Sequence, residues 1–214
     1  MNLPNNPDLI LFLKNLFDTN ENFVNTHDEK FFAKIQDEQN PKLTILKCSD
    51  SRVQMEYFDK TPQNNVFAIR NIGNQISTSE GSVDFGVEIL NTRFLLIIGH
   101  SGCGAVMAAF NGVSTSSDAI NKELSTIRIT SHSINEAIVQ NVNHQVDKAL
   151  MKYRPRIELG TLTILGAIYD FKNDFGFGFG KVVLTNINGI TSADAVRDEY
   201  LQHVDNLHFL EPVL

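Results

Sequence analysis

From Leu43 to Leu184, short apolar runs of strand length alternate with longer segments whose apolar residues recur every three or four positions. This alternation constrains the fold more than any other feature of the chain. Strands separated by helices need crossover connections, and these give a mostly parallel central sheet flanked by helices, the α/β class. Leu43 to Cys48 is a β-branched, apolar run that reads as the first strand, and Val66 to Ile69 reads as a shorter second one. Phe94 to Ile98 is five apolar residues in succession, the pattern of a strand buried on both faces. Leu162 to Ile168 reads likewise, and Val182 to Leu184 reads as an edge strand.

The intervening segments carry helical signals. Val83, Gly86, Val87 and Leu90 share one stripe, which predicts a helix over Glu80 to Asn91. Ala105 to Phe110 is rich in helix formers, and Gly112 stands where a C-terminal cap belongs. The clearest helix opens on the capping box of Ser133 and Glu136, follows the stripe Ile134, Ile138, Val142, Val146 and Leu150, and stops before Pro155. Nearer the start, Asp8 is placed to cap a helix bearing Leu9, Ile10, Phe12, Leu13, Leu16 and Phe17, and a second helix is expected from Phe23 to Gln36. Ser192 is placed to cap a last helix through Tyr200.

A chain of 214 residues without linker or internal repeat is expected to form one domain, 1–214. The one biased stretch, Phe175 to Gly180, alternates Phe with Gly and reads as a hairpin near a sheet edge. No apolar stretch approaches the roughly 20 residues of a membrane-spanning helix. The N-terminal apolar segment is broken by Lys14 and Asn15 and has no basic leader, so a cytoplasmic, membrane-free address is expected. A net charge of -7 argues against a nucleic-acid surface, because no basic excess is available to replace phosphate counterions.

Only two cysteines occur, too few for a disulfide scaffold. Each closes or follows a strand: Cys48 ends the first, and Gly99–His100–Ser101–Gly102–Cys103–Gly104 follows the buried apolar run. Neighbouring parallel strands would bring the two loops together at the carboxyl edge of the sheet. Two thiolates and an imidazole suit zinc, and three protein ligands leave a fourth position open for chemistry. Asp50 and Arg52 are spaced to form a bidentate charged pair beside that position. No lysine follows the glycines in the phosphate-loop pattern, which argues against nucleotide binding. His27, His132, His144, His203 and His208 read as surface or packing residues, and none is singled out as a proton relay.

Cys48–Ser49–Asp50–Ser51–Arg52–Val53 and Gly99 to Ala105 resemble the two signature loops of the β-class carbonic anhydrases. Phe67 to Asn74, Gly81 to Val87 and Gly166 to Asp170 resemble the segments between and after them, so the likeness spans roughly Gln39 to Asp170. It implies that Cys48, His100 and Cys103 bind zinc, that Asp50 and Arg52 form the catalytic dyad, and that carbon dioxide and bicarbonate are interconverted by a metal-activated water. It also places Gln39, Phe67, Ile72 and Phe85 where the plant-like branch of the family lines its substrate pocket from the neighbouring subunit, with the Gly104 amide at the substrate. A homodimer or tetramer follows, with residues 1–38 as helices contacting the partner. Two alternatives remain on this reading: a zinc hydrolase of carbon disulfide or carbonyl sulfide, and a catalytically silent zinc protein serving assembly or bicarbonate sensing. The sequence departs from the family at Phe85, where many relatives have tyrosine, and at Lys47, where they have a small or apolar residue. It has no tryptophan, so the bicarbonate-regulated anion site of one family branch is not expected.

Overall fold

The computed structural model describes residues 6–196, 200 and 203–210. The chain divides into two compact units, with the boundary between Gln39 and Asn40.

In the first unit, α1 spans Pro7–Asn25 and α2 spans Glu29–Ala33. The cap of α1 is Asn6, not Asp8: the Asn6 side-chain oxygen accepts from the amides of Asp8 and Leu9 at 3.0 and 3.4 Å. Pro7 then occupies the first helical position, where its missing N–H costs nothing. The second helix is also displaced from its expected span. Phe23 belongs to α1, and Asp28, extended and accepting from the Phe31 amide at 2.9 Å, opens a new helix of one turn and a half that ends before Gln36. No residue of α1 is buried, and Phe12 and Phe17 are 61% and 66% exposed.

The second unit holds the sheet. In chain order it comprises β1 (Leu43–Cys48), β2 (Val66–Asn71), α3 (Glu80–Asp84), β3 (Phe94–His100), α4 (Gly104–Phe110), α5 (Asp118–Leu124), α6 (Ile134–Lys152), α7 (Arg154–Glu158), β4 (Thr163–Asp170), β5 (Lys181–Ile187) and α8 (Ala193–Val196). The strand order is β2-β1-β3-β4-β5, parallel except for β5, which pairs antiparallel with β4 at the edge. From β1 the chain goes to one side for β2 and returns to the other for β3. The carboxyl ends of β1 and β3 therefore flank the point where strand order reverses, the position at which sheets of this kind open a crevice.

The long helix packs on β3, β4 and β5 through Ile138, Val142, Val146 and Ala149, all buried. Ser133 caps it through a bond from the Glu136 amide at 3.3 Å. The fit is close enough to dictate Gly99, since a Cβ there would lie 2.7 Å from Val142 Cγ2. The opposite face carries Ile45, Val53, Ile98, Ala167 and Tyr169, with Met55, Phe58 and Phe171 packed against them.

The helix expected over Glu80 to Asn91 is α-helical only to Asp84 and continues as a π-helical turn, Phe85–Ile89. The extra residue in the turn accompanies a tight approach at Gly86, where any Cβ would collide with Thr44 Oγ1 on β1. β2, β3, β4 and β5 each run two to four residues beyond their apolar runs because ladder hydrogen bonds continue into Asn71, His100, Asp170 and Ile187. The expected final helix is seen as Ala193–Val196, and part of its expected extent lies outside the described residues. In the Phe175 to Gly180 stretch, which links β4 to β5, Phe175 packs inward and Phe179 is exposed.

Candidate metal centre

Cys48 is the last residue of β1, His100 the last of β3, and Cys103 the residue that opens α4. Gly102 makes the turn between the last two at φ 63°, a left-handed conformation that glycine adopts without strain. The two sulfurs and a His100 ring nitrogen lie within 4.8 Å of one another, and all three residues are buried. Among the described residues this is the one such group of three metal-ligating side chains.

The imidazole is set by its backbone. His100 Nδ1 lies 3.0 Å from the Ser101 carbonyl, an acceptor, so Nδ1 carries the hydrogen and Nε2 the lone pair. Nε2 is buried and has no hydrogen-bond partner. An unpaired polar atom in the interior costs free energy unless something meets it, and here two cysteine sulfurs converge on the same point. The donor set fits a borderline-soft divalent ion such as zinc, held by three protein ligands with one position open.

The thiols form a coupled pair. Cys48 is brought down to about 4, first by its bond with Cys103, then by His100 and the backbone amides of Gly73 and Asp50, against the opposing effect of burial. Cys103 is pushed well above the usual thiol range because Cys48 holds its proton and because it is buried. Without a cation the pair shares one proton, and a divalent ion is the charge that lets both become thiolates.

Asp50 and Arg52 follow β1 and face each other. Arg52 donates through Nε to Oδ1 at 2.9 Å, through Nη2 to Oδ2 at 2.7 Å, and through its backbone amide to Oδ1 at 2.9 Å. These bonds, the Arg52 side chain first, hold the Asp50 carboxyl far below the usual carboxylate range. Asp50 Oδ2 is 3.8 Å from His100 Nε2, so the carboxylate stands beside the donor cluster while remaining bound to Arg52.

The loop is clamped by residues that motif spacing did not single out for the purpose. Arg70 Nη2 on β2 donates to the Asp50 carbonyl at 2.9 Å, and the buried Lys47 Nζ donates to the Val53 carbonyl at 2.6 Å. Lys47 is thus accounted for: its side chain spans the loop from beneath. A second buried network fixes the segment after β2. Gln75 Nε2 donates to Asn141 Oδ1 at 2.7 Å, and the Ile76 amide donates to Gln145 Oε1 at 3.0 Å. Both partners are on α6.

Of the expected pocket residues, Phe67, Ile72, Phe85 and Gly104 belong to the unit that holds this centre. Ile72 packs against the cluster that contains Cys48 and Cys103. Gly104 begins α4 with open space where a Cβ would stand. Phe67 and Phe85 meet each other, with ring centroids 5.8 Å apart, and Phe85 is 42% exposed. Gln39 is exposed and closes the first unit.

Residues 43–177, well over half of the chain, match the family model described as carbonic anhydrase. The chloroplastic β carbonic anhydrase 5 of Arabidopsis thaliana is 23% identical over 192 residues, covering 78% of this chain and 64% of that protein. Carbonic anhydrase 2 of Mycobacterium tuberculosis is 34% identical over 77 residues, 36% of this chain and 37% of that protein. The matched segments therefore span less than two thirds of either relative. Among solved structures, the β-carbonic anhydrase CcaA superposes with a TM-score of 0.71 at 20% identity, over 84% of this chain and 95% of that one. A Coccomyxa β-carbonic anhydrase in complex with acetazolamide gives 0.68 at 22% identity, over 90% and 92%. At these identities the likeness to both is one of fold.

Proposed function

Since this chain belongs to the β-class carbonic anhydrase family, we propose that it interconverts carbon dioxide and bicarbonate at a zinc ion held by Cys48, His100 and Cys103. The observation that carries the reading is the buried, partnerless Nε2 of His100, set within 4.8 Å of two cysteine sulfurs. When bound, zinc would supply the Lewis acidity that makes a water nucleophilic near neutral pH.

The remaining roles belong to the chain's own side chains. Asp50 stays ionised under any working condition, because Arg52 satisfies both of its oxygens. It therefore accepts a hydrogen bond at Oδ2, orienting water beside the metal donors, and is too weak a base to keep a proton. Protons must pass from it to solvent or buffer. Arg52 keeps the carboxylate off the metal position, leaving that position for reactants. Gly104, at the open start of α4, offers its amide to substrate, and Ile72 supplies an apolar wall for a small linear molecule.

Gln39, Phe67 and Phe85 complete this pocket from a neighbouring subunit in a homodimer or a multiple of it. The exposed apolar side chains of α1 and the half-exposed Phe67/Phe85 pair support that assembly, since apolar surface of this kind is characteristic of subunit contacts. The two buried free thiols suit a reducing, cytoplasmic compartment. Among the described residues no helix is long and apolar enough to cross a membrane.

Stopped-flow carbon dioxide hydration on metal-quantified protein tests the reading. Expected are about one zinc per chain, as for a single three-ligand site, and joint loss of metal and activity in Cys48→Ala and His100→Ala. Full activity in rigorously metal-free protein overturns it, and turnover of carbonyl sulfide with none of carbon dioxide selects the hydrolase instead. Sedimentation is expected to show no active monomer.

A further inference from the structure

Arg52 carries a weight that its exposure does not explain. Its side chain is 54% exposed, and ion pairs in such a setting are loosely held because water screens them and long side chains wander. Yet the guanidinium is fixed on three sides. Asp50 binds it in plane, the Gly102 carbonyl accepts from Nη2 at 3.4 Å, and the ring of Phe171 lies beneath it with Arg52 Cζ 4.8 Å from the centroid. The same ring stacks on His100, with centroids 5.9 Å apart and planes at 22°.

Phe171 is itself held on both sides by its backbone. It follows β4 directly, and the preceding Asp170 carboxylate is buried and accepts from the amides of Asp174 and Phe175, each at 2.9 Å. The amide of the next residue, Lys172, donates to Ser101 Oγ at 3.2 Å, and the Ser101 amide donates to the Tyr169 carbonyl at 3.1 Å. The loop that carries Phe171 is thereby tied to the loop that carries His100 and Cys103.

We propose that Phe171 is a positioning residue of the active site, which holds the Arg52 guanidinium flat and partly dehydrated so that Arg52 keeps Asp50 away from the metal position. The assignment rests on the carbonic anhydrase reading. An aromatic face attracts a guanidinium and removes water from one side of it, which strengthens the in-plane bonds to the carboxylate. Phe171 touches no reacting atom and acts through Arg52. Its neighbour Tyr169, with rings 5.8 Å apart, backs it from the sheet.

The test compares Phe171→Leu and Phe171→Tyr, each with Arg52 intact and with Arg52→Ala, in zinc-quantified protein. Leu retains much of the apolar bulk and loses the π face, whereas Tyr retains both bulk and face. Phe171→Leu is expected to lower kcat/KM for carbon dioxide hydration by about 2- to 5-fold, the worth of one cation–π contact at a partly exposed site. Zinc content should be unchanged, and Phe171→Tyr should restore the rate. In the Arg52→Ala background, Phe171→Leu should have no further effect, which a merely structural role would not produce. A readout independent of turnover is the nitrogen-15 NMR signal of Arg52 Nε–H. It should lose its ring-current displacement and exchange faster with water in Phe171→Leu, and keep both properties in Phe171→Tyr. An active wild type with an indifferent Phe171→Leu, or an equal loss in both Arg52 backgrounds, overturns the role of Phe171 alone. A zinc-loaded wild type that does not hydrate carbon dioxide overturns the reading of function and this role with it.

Discussion

Arg52→Ala tests whether the dyad governs access to the metal position. The Asp50 carboxylate accepts three N–H bonds, two from the Arg52 side chain and one from its backbone. Truncation leaves only the backbone bond to Oδ1 and frees Oδ2, already 3.8 Å from His100 Nε2, to turn toward the metal donors. The cost to folding is small, about 0.5–1 kcal/mol, because more than half of the Arg52 side chain is in water. The cost to turnover is larger, about 10- to 100-fold in kcat/KM, the usual range for removing a partner that orients groups around a metal. The pH signature follows from Asp50. Its folded pKa is depressed by Arg52, so the pair's stabilisation is present above the ordinary carboxyl value of about 4 and is lost as pH falls below it. The stability gap between wild type and Arg52→Ala should therefore hold at neutral pH and close in acid. Hydration rate against pH, with zinc measured at each point, and urea midpoints at neutral and acid pH are the assays. Arg52→Lys, which has one donor group in place of a planar fork, should fall between the two. Equal rates and equal profiles for wild type and fully zinc-loaded Arg52→Ala would refute the argument and leave Arg52 an ordinary surface ion pair.

Three further outcomes are expected. Metal-free protein should show one thiolate per chain by ultraviolet absorbance at neutral pH, because the bond between the two cysteines lowers one thiol and raises the other; Cys48→Ser should abolish it, and two thiolates or none at neutral pH would contradict the shared-proton pair. Lys47 is lowered to about 8, chiefly by burial and next by Arg70, so the fold carries a penalty for its charge that is complete below about 8 and relieved as pH rises toward the unfolded value. Wild-type stability should thus rise relative to Lys47→Met between neutral and alkaline pH, by at most about 3 kcal/mol, and parallel denaturation curves across that range would count against it. Gly99→Ala should destabilise by about 1–3 kcal/mol through the contact with Val142 and disturb zinc retention at His100, and Val142→Ala should relieve both effects; a variant as stable as wild type would show that the helix and sheet have room to spare.

What could be read from the sequence, and what could not, divides along a physical line. β3 was legible because a strand buried on both faces is apolar along its run, β1 because its residues other than Lys47 are apolar or β-branched, and the convergence of Cys48 with His100 and Cys103 followed because parallel neighbours present their carboxyl ends together. The π-helical turn at Phe85 was not legible, since it accompanies the close approach of Gly86 to Thr44 of β1, a residue 42 positions away by subtraction of residue numbers. Nor were Asn141 and Gln145, which interrupt the buried face of α6 and look like breaks in its stripe until Gln75 and Ile76 arrive to meet them. Lys47 stood out as a departure but acquired a role only when the Val53 carbonyl appeared above it. Phe171 gave no signal at all, because one phenylalanine after a strand is unremarkable in a chain that has 15. Lys47, Asn141, Gln145 and Phe171 each meet a partner that the folded loops or a packed neighbour supplies, and such a partner leaves no periodicity to detect. The donors of a metal site can be found from residue type and strand ends; the groups that aim those donors are assembled by the crevice, and they become visible only when the strands stand side by side.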